Sequence, residues 1–90
     1  MANQDIKDSA SWYELQQKGL GRKFIGEIRE KVYFIRQYPE SFTVKYGNIR
    51  TAVLINFPFM IHYFIDDINK IIVITAVLHM SRNPNVWQKR

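Results

Sequence analysis

The apolar pattern changes period at Pro39, and that switch constrains the fold of this chain more than any other feature. Upstream of it, apolar residues recur at helical spacing in two blocks. Ile6, Ala10 and Tyr13 form the first stripe, flanked by Trp12, with Asn3 placed to cap its start. Gly19 supplies the left-handed residue that ends this helix near Lys18, whose charge suits the negative end of the helix dipole. Phe24, Ile28, Val32 and Ile35 form the second stripe, running from Arg22 to Gln37, and Pro39 ends it. A link this short between two amphipathic helices makes an antiparallel hairpin.

Downstream of Pro39 the residues turn β-branched and aromatic. Thr43–Tyr46 reads as a strand and Gly47-Asn48 as a turn. Ile49–Phe57 and Phe59–Ile65 are strands split at Pro58, Asp66–Lys70 is a hairpin loop, and Ile71–Leu78 is the last strand. Consecutive hairpins give a meander, so the expected fold is α+β, an N-terminal helical hairpin packed on an antiparallel β-meander. Pro84 fits the first turn of a short terminal helix bearing Val86 and Trp87.

A register follows if Asn56 pairs with Phe59 and Ile65 with Ile71. One sheet face then holds Arg50, Ala52, Leu54, Phe59, Ile61, Tyr63, Val73, Thr75 and Val77, with His79 at its end. The other holds Thr51, Val53, Ile55, Met60, His62, Phe64, Ile72, Ile74 and Ala76. Both faces are mostly apolar. The helices cover one, and the other is expected to meet a protein partner, because large bare apolar patches mark interaction sites.

Ninety residues make one domain, residues 1–90, with room for a modest core. The chain has no cysteine, so neither a disulfide nor a thiolate metal site supports it. The N-terminus has no apolar stretch of the signal-peptide kind, and the apolar runs are interrupted or too short for a membrane span. The formal charge of +5 favours an anionic partner, nucleic acid or acidic protein. The stretch from Lys18 to Lys31 is the richest in basic residues but also holds Glu27 and Glu30, so charge is permissive rather than diagnostic. No metal-ligand spacing, phosphate-cradling glycine loop or nucleophile triad is present, and no cofactor is expected.

Several landmarks stand in a fixed order. Ala2-Asn3-Gln4-Asp5-Ile6 opens the chain, and Trp12-Tyr13-Glu14 precedes Gly19-Leu20-Gly21 and Phe24. Arg50 lies on a strand, Phe57-Pro58-Phe59 turns one strand into the next, and Tyr63 follows. His79, Arg82, Pro84, Trp87 and Arg90 close the chain. Over nearly its whole length this pattern resembles the RelE/ParE superfamily of type II toxin–antitoxin (plasmid stabilisation) toxins. The resemblance implies a cytoplasmic growth-inhibiting toxin neutralised by a cognate antitoxin. RelE-like members of the superfamily cleave messenger RNA on the ribosome, and ParE-like members poison DNA gyrase without nuclease chemistry. Two departures stand out. Family members usually have a strand before the first helix, whereas this sequence starts at the helix itself, through a late start, trimming or loss of the strand, and Met60 occupies a place where the nucleases often carry an arginine.

Cleavage through a 2′-hydroxyl needs a base, an acid and cations around the scissile phosphate, and His and Arg are the suitable types. His79 at the end of the last strand and Arg82 just after it are the first candidates, followed by Arg50 and then His62, which shares a face with Met60. The favoured expectation is ribosome-dependent messenger RNA cleavage. The alternative is a non-enzymatic gyrase poison, or a degenerate toxin that only binds its antitoxin.

Overall fold

A computed structural model describes residues 2–80. It contains α1 (Ala2–Gln16), α2 (Leu20–Gln37), a 3-10 turn (Pro39–Ser41), β1 (Val44–Tyr46), β2 (Ile49–Val53), β3 (Phe59–Asp66) and β4 (Ile71–His79). The four strands form one antiparallel sheet in the order β1-β2-β3-β4, as a meander requires. The helical hairpin packs on one face of it, so the α+β expectation is met. Asn3 lies inside α1 rather than at its cap. The terminal helix expected from Pro84, with Val86 and Trp87, falls outside the described residues.

Gly19 takes the expected left-handed conformation, with φ of 88°, but it opens α2 rather than closing α1. The Glu14 carboxylate accepts hydrogen bonds from the Gly19 and Gly21 amides at 2.9 and 3.0 Å, satisfying backbone donors that a helix start leaves open. Gly21 also sets how closely the helices approach, since a Cβ there would lie 2.5 Å from the Ala10 carbonyl oxygen. The predicted stripes do the packing. Phe24, Ile28 and Ile35 are buried, and Ile6, Ala10, Tyr13 and Val32 pack around them. Tyr13, Phe24, Phe57 and Phe59 form one aromatic cluster, with Phe24 centred 5.2 Å from Phe57 and 4.8 Å from Phe59.

The sheet corrects the expected register in two places. The β2 strand stops at Val53 rather than running to Phe57. Beyond Leu54, whose N–H reaches the Phe59 carbonyl at 3.0 Å, the amides of Ile55 and Asn56 donate to the Glu27 carboxylate of α2 at 2.5 and 3.0 Å. This helix side chain takes the donors that strand pairing would have used. Val53 therefore pairs with Met60, a shift of two residues that leaves both predicted faces of β2 and β3 intact.

The second correction is a slip of one. Ile65 pairs with Ile72 and Tyr63 with Ile74, whereas His62 pairs with Ala76, so Thr75 is an extra residue in β4. Its hydroxyl donates to the His62 carbonyl at 3.2 Å. Beyond this bulge Val77 and His79 share a face with Ile61 and Phe59 as expected. Before it the faces exchange, so that Ile72 and Ile74 pack on the helix-side core and Val73 pairs with Phe64 on the far side.

Candidate functional site

Arg50 lies on the helix-covered side of β2, opposite Tyr63. Its guanidinium donates to the Phe42 carbonyl at 2.6 Å, while the Tyr63 hydroxyl donates to the Pro39 carbonyl at 2.6 Å. Together they fasten the segment after α2 to the sheet. Phe42 sits between them with its ring edge-on to Tyr63, and the Lys31 ammonium stands 5.8 Å from its centroid. Burial raises the Tyr63 pKa, with the Arg50 charge opposing it, so the hydroxyl stays a donor at neutral pH. Arg50 thus has a structural task that accounts for its position.

His62 projects from the opposite face and is only 2% exposed. The Tyr46 hydroxyl approaches its Nδ1 at 3.4 Å, and Nε2 has no hydrogen-bond partner. Burial lowers the pKa of this imidazole, and the charge of Lys45 lowers it further, so the ring is neutral at pH 7. Met60, two residues away on the same face, is also buried. The exposed Lys45 is the cation close enough to act on this imidazole.

His79 ends β4 opposite Phe59, and its ring meets Phe59 edge-on at 5.0 Å between centroids. It borders a small hollow of about 300 Å³ with Ser9, Trp12, Tyr13, Pro58 and Phe59. The His79 and Arg50 partners on β3, Phe59 and Tyr63, are four residues apart, about 13 Å along an extended strand. His79, Arg50 and His62 therefore occupy three separate places. Arg82 and Arg90 fall outside the described residues. Among the described residues no group of three or more His, Cys, Asp or Glu side chains gathers as a metal site.

Sequence reading missed the two glutamates that shape this surface. Glu14 holds the start of α2, and its pKa is lowered by the Gly19 and Gly21 amides and then by Arg22. Glu27 holds the β2–β3 loop and so opens a groove of about 800 Å³ between that loop and α2, lined in part by Leu20, Lys23, Glu30, Phe34 and Pro58. Ile55 at its edge is 83% exposed. The only signal in the sequence was an acidic residue at a half-buried helix position, which a solvated helix explains equally well.

A helical hairpin on a four-stranded meander, with His79, Arg50 and His62 at separate places on the sheet, defines a small α+β protein of the RelE/ParE kind. The family model for the ParE toxin of the type II toxin–antitoxin system, parDE, matches residues 1–84, and the chain belongs to that family. No curated protein and no solved structure gives a significant match. Membership implies an antitoxin partner. Among the described residues no helix is long and apolar enough to cross a membrane.

Proposed function

We propose that this toxin acts without nuclease chemistry, as a ParE-like poison of DNA gyrase held in check by its antitoxin. The observation that carries this reading is the separation of His79, Arg50 and His62, since general acid–base cleavage needs its groups within hydrogen-bond reach of one phosphate. The groove between α2 and the β2–β3 loop, with Phe34 and Ile55 exposed beside it, supports a protein-binding role. The test pairs induced expression of the chain alone in bacteria with a supercoiling assay on purified gyrase. The expected result is growth arrest with DNA-damage signalling, intact messenger RNA and gyrase-dependent linear DNA. Arrest with ribosome-dependent cuts in messenger RNA and unimpaired gyrase would overturn it.

One observation favours ribosome-dependent messenger RNA cleavage as a second reading. His79 borders a hollow that also presents Trp12 and Ser9, where a base could stack near an imidazole. In that reading Arg82 supplies the cation, and His79→Ala and Arg82→Ala each abolish cleavage. In the gyrase reading, arrest survives both substitutions.

A further inference from the structure

The basic residues of α2 look dispersed in the sequence, but the helix sorts them. The element carries five basic and two acidic residues. Glu27 turns to the β2–β3 loop. Arg22, Arg29 and Arg36 recur every seven residues, so they share one stripe, about 10.5 Å apart and about 21 Å from end to end. Their neighbours three and four positions away within α2 are Ile25, Gly26, Val32 and Tyr33, none of them acidic, so the helix itself offers no ion pair to these guanidinium groups. All three arginines are exposed. Arg22 lies near Glu14, whose carboxylate two backbone amides already engage. Arg29 and Arg36 make no ion pair among the described residues, and the nearest acid in sequence to Arg36 is Glu40, past the helix end. Tyr33, 64% exposed, stands between them.

We propose that this arginine ridge docks on the phosphate backbone of duplex DNA. Charge complementarity selects the occupant. Duplex DNA carries one negative charge per ~1.7 Å of its axis, so a ridge of about 21 Å meets phosphates along its whole length. The guanidinium fork matches phosphate oxygens and is less strongly hydrated than an ammonium. Phe24, Ile28 and Ile35 turn the other side of α2 into the core, so the stripe lies on the exposed side of the helix, where Lys23 and Glu30 are exposed too, and its contacts position the protein without reading bases. The inference rests on the proposed function only in naming DNA rather than RNA, since a gyrase poison works on an enzyme that holds DNA.

Fluorescence anisotropy tests it, with a labelled DNA duplex of about two helical turns titrated by the full chain over a series of salt concentrations. Each phosphate contact contributes about 0.9 to the slope of log affinity against log salt. The double variant Arg29→Gln/Arg36→Gln is expected to lower that slope by about 1.8. Arg29→Lys/Arg36→Lys is expected to retain it, which separates charge from any fault in folding. Lys7→Gln/Lys70→Gln, which removes the same charge from other elements, is expected to leave it unchanged. Absence of DNA binding, an equal loss in both glutamine pairs, or tighter binding to an RNA duplex of the same length would each overturn the proposal. The assay contains no gyrase. A chain that binds the duplex but spares supercoiling therefore sinks the gyrase reading alone, and a chain that poisons gyrase with an unchanged salt slope sinks the ridge alone.

Discussion

The two faces of the sheet are equally well sealed at β3 and differ in what they seal. On the helix side Phe59, Ile61 and Tyr63 are buried among Phe24, Ile35 and Val77, and the one polar tip among them, the Tyr63 hydroxyl, has its acceptor in Pro39. On the far side Met60 and His62 are 5% and 2% exposed, yet His62 keeps a ring nitrogen with no partner. A buried polar atom left unpaired costs about 1–3 kcal/mol. The helix side is built for folding, whereas the far side carries a group that stability alone would have replaced by an aliphatic one.

The comparison breaks first if the helix side is not the main source of stability. Phe24 is fully buried at the centre of the aromatic cluster, so Phe24→Ala is expected to cost about 3–5 kcal/mol. At roughly 0.05–0.15 kcal/mol per residue a chain this short has about 5–13 kcal/mol of stability, so this one change removes a large share of it. Urea denaturation followed by tryptophan fluorescence would show the midpoint collapse. A loss below about 1 kcal/mol would place the core elsewhere.

Phe24 was legible from the sequence because its signal is periodic. The stripe Phe24, Ile28, Val32, Ile35 needs only the helical repeat to be read, and the faces of β2 survived a register error because parity, not pairing, decides them. The bulge at Thr75 was not legible, since one extra residue in a strand leaves no mark on composition. Nor was the reach of Glu27 to the amides of Ile55 and Asn56, 28 and 29 residues away. The separation of three candidate site residues was not legible for a related reason. His79, Arg50 and His62 are chemically suitable types, but their meeting depends on strand ends and faces that only three-dimensional packing sets. Arg50 was the clearest case, as nothing near it in sequence announced the Phe42 carbonyl as its partner.

Two glycines sharpen the account of the helix side. A Cβ at Gly21 would meet the Ala10 carbonyl oxygen at 2.5 Å, so Gly21→Ala must push α1 off α2 and is expected to cost about 1–3 kcal/mol. Gly26 lies in the same helix with nothing within 4 Å of its Cβ position, so Gly26→Ala is expected to stabilise by about 0.4–1 kcal/mol. Thermal unfolding midpoints moving in opposite directions would confirm close helix contact at one glycine only. Midpoints moving together would refute it.

Glu27 belongs to neither face and ties the helix side to the loop. Losing its charge weakens two hydrogen bonds to backbone amides, so Glu27→Gln is expected to cost about 1–2 kcal/mol. Hydrogen exchange gives the more specific readout. The amides of Ile55 and Asn56 should exchange faster while that of Ile61 keeps its protection. Unchanged exchange at both loop amides would show that the loop holds itself.

The far face is probed by pH. Burial holds the imidazole of His62 neutral, with its pKa below the ordinary 6.5, and Lys45 adds to the effect. The unfolded chain has no such environment, so as the pH falls through 6.5 the unfolded state takes up a proton that the native state refuses. Stability is therefore fully present above 6.5, declines below it, and stops declining once the pH passes the lowered native value. The carboxylates whose pKa values are lowered in the fold, Glu14 and Asp66, begin to contribute only nearer their ordinary 4.5 and 3.8, which leaves a window that belongs to histidine. His62→Leu fills the buried position with an apolar side chain and removes the titrating ring, so its stability should be flatter than the parent's between pH 6.5 and the carboxylate range. His79 is common to both proteins and cancels in the difference. Identical pH profiles would mean that His62 is as free to ionise in the native state as in the unfolded one. The far face would then be wetter than its burial indicates, and the contrast between the two faces would fail.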